Sequence, residues 1–307
     1  MNAAVEITGL TKVYGVVRAL DGVDLTVPEG SIFGFLGPNG AGKTTTLRIL
    51  MGMARPTSGG ARILGHDVVH ASHEVRSLTG FLPDVPGYYP WMTAEEFVRF
   101  AGRLAGVKGA TLDARVSSLL EMAGLAGVTR RIDGFSRGMK QRLGVAQALI
   151  NAPRLLVLDE PTSALDPMGR KDLLDMISAL KGKTTVFFST HILTDAERVC
   201  DTVAILDRGR VVRQAAMAEL KREGHARRLV IEVAEGAEEL TRAFAEQHWA
   251  AECVRDRQVI RCVAADLDAA RRAIPQIVAE RNLALVRMSE EEPTLEEVFV
   301  ELVGGRS

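Results

Sequence analysis

Gly37-Pro38-Asn39-Gly40-Ala41-Gly42-Lys43-Thr44-Thr45 fits the spacing G-x-x-x-x-G-K-S/T in full. Glycines at this spacing aim successive backbone N–H groups at phosphate oxygens, and a helix that starts there adds its partial positive charge. Lys43 is placed to reach β- and γ-phosphates, and the Thr44 hydroxyl to ligate Mg²⁺. A second pair, Asp159-Glu160, ends the apolar run Leu155–Leu158. Consecutive strand residues point in opposite directions, so the two acids can serve different tasks. Asp159 suits Mg²⁺ beside Thr44, and Glu160 suits orienting an attacking water. Acids at a strand end are often only solvated surface; the phosphate loop upstream makes the chemical reading dominant. His191 follows another apolar run, Thr184–Ser189, where an isolated histidine is more often structural. A base-reading N-K-x-D is absent from the sequence, which argues against a GTPase.

These residues need elements to hold them. Val5–Leu10 and Ser31–Leu36 have the pattern of strands, and Thr45–Met53 that of a helix after the phosphate loop. Leu155–Leu158 and Thr184–Ser189 are short runs suited to strands covered on both faces. Val203–Leu206 and Val211–Arg213, joined by Asp207-Arg208-Gly209-Arg210, predict a hairpin. Trp91–Gly127 is mainly helical in pattern, with apolar Phe97, Phe100, Leu104, Leu119, Leu120 and Met122. Alternating strands and helices imply an α/β core. Past the charged stretch Lys221–Arg227, a predicted linker, strand-helix-strand occurs twice. The strands are Arg228–Val233, Ala251–Val254, Gln258–Val263 and Leu283–Met288; the helices are Ala237–Gln247 and Leu267–Arg281. That is the pattern of a ferredoxin-like βαββαβ unit. A last helix is expected over Thr294–Val303, with Thr294 as N-cap and Gly304 as stop.

At 307 residues, with 47% hydrophobic and 25% charged residues, the chain is long enough for about two globular domains. With 38 Lys and Arg against 39 Asp and Glu it lacks the basic excess of a nucleic-acid binder, and none is expected as a partner. No run approaches the roughly 18 apolar residues of a membrane span. The N-terminus lacks a secretory pattern, so any membrane role comes through a partner.

Phe135-Ser136-Arg137-Gly138-Met139, opening a helix before the acids, resembles the ABC signature L-S-G-G-Q. With Ser163-Ala164-Leu165-Asp166 after the acids and His191 beyond, residues 3–225 resemble an ABC-transporter ATP-binding subunit. The resemblance implies an ABC ATPase domain over 1–224, with a helical subdomain over about 91–150, and a small α+β accessory domain over 228–307. It also implies an ATP-dependent homodimer or heterodimer in which Ser136, Gly138 and Asp166 complete the partner's site in trans. Tyr14 would stack on adenine; His191 would sense the γ-phosphate and support Glu160. A membrane permease would be the other partner, and the chain would sit in the cytoplasm, peripheral on the inner face of the membrane.

Two departures stand out. Asp84 follows Gly80-Phe81-Leu82-Pro83 where the family commonly has Gln, making it a third candidate for Mg²⁺ or, equally, plain surface. Arg137 and Met139 replace small and polar residues of the signature, a variant similar to separate-chain drug and lipid exporter ATPases, as is the ending Pro293–Phe299. The rivals are a soluble ABC-type ATPase acting on DNA or the ribosome, and an importer subunit. Tyr88, Tyr89 and Trp91 are read as a docking patch for the permease rather than a satellite core. His66, Asp67, His70 and His73 are read as solvated surface. Cys200, Cys253 and Cys262 are expected as free thiols.

Overall fold

A computed structural model of the chain describes residues 2–163, 165–223, 228–291 and 294–304. Ala164, linker residues 224–227 and Pro293 lie outside the described residues. The chain divides into two compact units, Met1–Met217 and Ala218–Ser307.

In the first unit β1 (Ala3–Tyr14) and β2 (Val17–Pro28) pair antiparallel, and β3 (Ile32–Leu36) follows. The phosphate loop leads into α1 (Lys43–Leu50), then β4 (Ser58–Ile63), β5 (His66–Asp67), α2 (Ser72–Leu78) and β6 (Thr79–Leu82). The helical stretch is α3 (Ala94–Leu104), α4 (Gly109–Met122) and α5 (Arg137–Leu149). It is followed by β7 (Leu155–Asp159), α6 (Pro167–Ser178), β8 (Thr185–Thr190), α7 (Leu193–Val199), β9 (Thr202–Asp207) and β10 (Arg210–Ala216); α8 (Met217–Glu223) begins on the last residue of this unit and otherwise belongs to the second. A four-stranded sheet runs β2-β1-β4-β5, and a six-stranded sheet runs β10-β9-β3-β8-β7-β6. In the larger sheet β9, β3, β8, β7 and β6 are parallel, while β10 closes the edge antiparallel to β9 as the predicted hairpin.

Every residue of β3, β7 and β8 is buried, which is why their sequences lack alternation. Phe33, Phe35, Val157 and Phe187 of the larger sheet share a core with Val5, Ile7 and Leu25 of the smaller one and Leu47 of α1. Their rings interlock, Phe35 and Phe187 with centroids 5.3 Å apart. The α3 start is fixed by a capping box between Thr93 and Glu96. Leu104, predicted on the apolar face, is exposed; Gly102 takes the buried position in that last turn, where an added Cβ would meet Leu112 Cδ1 at 2.4 Å.

The second unit comprises β11 (Arg228–Val233), α9 (Ala237–Ala245), β12 (Ala250–Asp256), β13 (Val259–Ala264), α10 (Leu267–Glu280), β14 (Leu285–Glu291) and α11 (Leu295–Gly304). Its sheet runs β12-β13-β11-β14, with every neighbour antiparallel. Leu229, Ile231 and Val233 alternate into a core with Ile260, Leu240, Phe244, Trp249 and Ile274. Thr294 and Glu297 cap α11 reciprocally, and the helix runs through Gly304 rather than stopping before it.

One expectation is corrected here. Cys253 and Cys262 face each other directly across β12 and β13, with Cα atoms 4.1 Å apart, and are joined by a disulfide. The strand register puts both side chains on one face at the closest cross-strand spacing, so proximity overrides the expectation of separate thiols. Cys200 is free and buried.

Candidate active site

Four neighbouring parallel strands, β3, β8, β7 and β6, deliver the candidate residues at their carboxyl ends. These are the phosphate loop after β3, His191 after β8, Asp159 and Glu160 at and after β7, and Asp84 beyond β6. Ligands of parallel sheets gather at such ends. The loop is shaped by what surrounds it. A Cβ on Gly37 would lie 2.3 Å from the Leu206 carbonyl oxygen. Gly42, the residue before α1, has φ +113, and a Cβ there would lie 2.7 Å from the Ala19 carbonyl oxygen.

Lys43, almost completely buried, donates to the Gly37 carbonyl at 2.7 Å and the Pro38 carbonyl at 3.3 Å. Its Nζ also lies 3.1 Å from Glu160 Oε1. The other carboxylate oxygen of Glu160, Oε2, is 2.8 Å from His191 Nδ1. Lysine, glutamate and histidine therefore form one chain of contacts across β3, β7 and β8. Glu160 adopts φ +47, a left-handed backbone that non-glycine residues seldom take, held by its N–H donating to Ser189 O and Oγ, each at 3.1 Å.

Asp159 Oδ1 accepts from Ser189 Oγ at 2.7 Å and Thr44 Oγ1 at 3.5 Å. Burial pushes this carboxyl above its ordinary range; the two hydroxyls oppose that, and the charges of Glu160 and Asp84 add to it. A buried carboxylate with hydroxyl partners beside a threonine oxygen suits a hard divalent cation. Mg²⁺ takes few protein ligands and shares the rest with phosphates and water. Among the described residues no group of three or more His, Cys, Asp or Glu forms a metal cluster. Thr44, Asn39, Gly40, Lys43, Asp84 and Glu160 line one cleft of about 230 Å³. Ser189 was not singled out from the sequence, although the Ser-Thr-His run ending β8 held the signal.

Residues 20–163 match the ABC transporter family. The bacitracin transport ATP-binding protein BcrA of Bacillus licheniformis is 34% identical over 99% of this chain and 99% of its own length. The chain belongs to the ABC transporter ATP-binding proteins. The daunorubicin/doxorubicin resistance ATP-binding protein DrrA of Streptomyces peucetius is 41% identical over 71% of this chain and 67% of its own. A dimeric ATP-binding cassette solved in a post-hydrolysis state with ADP and Pi is 27% identical, with a TM-score of 0.63 over 69% of this chain and 98% of that one.

In this ABC ATP-binding protein the signature residues stand apart from the cleft lining. Ser136 is exposed and caps α5, accepting from the Met139 N–H at 3.2 Å, and Gly138 is buried in the first turn. Asp166 is exposed immediately before α6. Tyr14 is half-exposed at the end of β1, with Lys12 Nζ 4.7 Å above its ring. The aromatic segment divides. Tyr88 is folded in, donating to the Lys140 carbonyl at 2.6 Å and packing on Phe97, and burial raises its phenol pKa. Tyr89 meets Phe97 and Phe100 edge to face and Trp91 at a tilt, and Trp91 is 60% exposed. The satellite-core reading thus fits Tyr88, and the docking reading is left to Tyr89 and Trp91. His66 and Asp67 form the short β5, half-buried, and His70 and His73 are exposed in the turn and helix beyond; Asp67 Oδ1 accepts from the Val69 and His70 N–H groups.

Proposed function

We propose that this chain binds ATP with Mg²⁺ and hydrolyses it as the motor subunit of an exporter whose membrane path lies in another chain. The contact chain Lys43–Glu160–His191 at the ends of β3, β7 and β8 carries the reading. Phosphates seated on the N–H groups of residues 37–45 compete for the Lys43 ammonium, which otherwise rests on Glu160. Released from that charge, Glu160 orients a water for in-line attack on the γ-phosphorus, and His191 keeps its carboxylate in position. Thr44 and Asp159 would hold Mg²⁺, with Asp84 lining the same cleft; the ion supplies neutralisation of phosphate charge. Tyr14 is assigned to the adenine.

Ser136 and Asp166 are exposed at two helix starts outside the cleft lining, with Gly138 in the same first turn as Ser136, which suits donation to the nucleotide of a second copy. No described helix is long and apolar enough to cross a membrane. In this reading the transport path belongs to a membrane-embedded permease, and the chain works on the cytoplasmic face. Its docking place is the groove of about 490 Å³ bounded by Val85, Pro86, Tyr88 and Ile132, beside the exposed Trp91. The outward direction is supported by the resistance named for DrrA and by the overall similarity to BcrA.

Glu160→Gln tests the core of this assignment. Turnover should fall at least about 100-fold, within the range of a general base, while ATP still binds and drives dimer formation in sedimentation. Wild-type turnover in that variant would remove Glu160 from the reaction.

A further inference from the structure

Asp84 is the one described residue that lines both the nucleotide cleft and the larger groove. The groove also takes in Arg137 and Lys140 of α5 and Asp133 just before it. Asp84 and Arg137, two of the three residues that depart from the family's sequence pattern, thus line one space. Each is puzzling by itself. A carboxylate beside bound phosphates repels them and has no such cost when the residue is a neutral amide. An arginine at the first residue of a helix opposes the helix dipole, and the first turn of α5 contains no acidic residue to offset it. Together the two charges compensate. Neither side chain takes part in an ion pair with another described residue.

We propose that Asp84 and Arg137 form a nucleotide-dependent ion pair across the groove. Entry of a triphosphate repels Asp84 from the cleft, and the Arg137 guanidinium, whose planar fork suits a carboxylate, receives it. The pair draws the first turn of α5, with Ser136 and Gly138, toward the end of β6. Arg137 is a positioning residue here: it touches no reacting atom and acts through Asp84. Asp133 is the less available partner for Arg137, because its Oδ1 already accepts the Gly134 N–H at 2.8 Å. Lys140, one turn further along α5, is the competing cation for Asp84. By linkage, a groove occupant that takes Arg137 for itself weakens ATP binding by the same factor that ATP weakens the occupant. The inference rests on the cleft being the nucleotide site.

A double-mutant cycle on the full chain tests it, reading ATP·Mg²⁺ affinity calorimetrically at protein concentrations where the chain is monomeric. Arg137→Gln should weaken binding about 5-fold or more, the low end of a typical coupling. In the Asp84→Asn background the same change should cost less than about 2-fold, and Arg137→Lys should recover most of the affinity. A loss that is merely structural would appear equally in both backgrounds and as a lower melting temperature without nucleotide. Equal losses with and without Asp84, or a coupling carried by Lys140→Gln instead, would overturn the pair. Failure of the wild-type chain to bind ATP would bring down the cleft assignment itself, a result distinct from an additive cycle.

Discussion

Asp159 is a charged group in a place that does not favour charge. It is 3% exposed, its partners are hydroxyls, and two further carboxylates stand nearby. Burial raises its folded pKa above the ordinary 3.8. The native state therefore binds this proton more readily than the unfolded chain. Between the ordinary value and the raised one, the contribution to stability falls as pH rises, and the penalty is complete above the raised value. Asp159→Asn should remove that decline. The melting-temperature difference, variant minus wild type, should grow as pH rises above the ordinary 3.8 and level off above the raised value. Added Mg²⁺ should raise the wild-type midpoint and leave the variant's unmoved. A difference independent of both pH and Mg²⁺ would show that Asp159 carries no such burden. Glu160, one residue on, is buried as well and takes a left-handed backbone.

Among elements, β8 has the decisive position, between β3 and β7. It carries Ser189 to both acids and His191 to Glu160, so one strand ties the hydrolytic groups to the phosphate loop. The loop depends just as closely on β9, whose Leu206 carbonyl leaves Gly37 no room for a side chain. Gly37→Ala should push the loop away from β9. We expect a loss of about 1–3 kcal/mol in stability, the usual cost of overpacking, and a larger loss of ATP affinity, measurable by melting and calorimetry. Unchanged affinity would mean that the loop tolerates displacement. Local spacing made the phosphate loop, both acids, their strands and the βαββαβ order legible in the sequence. Strand order was not legible, because the neighbours of β8 come from distant segments; the run before His191 marked Ser189, but its bonds to both acids depend on that order. Cys253 and Cys262 were placed on adjacent strands correctly, but one residue of register decides whether sulfurs meet. Tyr88 and Trp91 lie close in sequence with opposite exposures, since only Tyr88 finds the α5 backbone to bond.

At the scale of the whole molecule, two compact units with separate cores allow separate measurements. The thiol chemistry is confined to two places, one in each unit: Cys200 buried and free, and Cys253 bonded to Cys262. Alkylation of denatured protein, trapped at lysis, should label one cysteine without reductant and all three after reduction, counted by mass. Three labels without reductant would show that the cross-strand bond does not form in the cell.

The chain has just two tryptophans, and the fold gives them opposite surroundings. Trp249 is completely buried with Phe244 at 5.8 Å in the second unit, whereas Trp91 is 60% exposed in the first, one residue after the groove-lining Pro90. The protein thus carries two optical reporters that need no label. Acrylamide should quench the red-edge emission from Trp91 and spare the blue emission from Trp249. A permease segment settling beside Trp91 would shift only the first signal, so the encounter could be followed in real time by light alone.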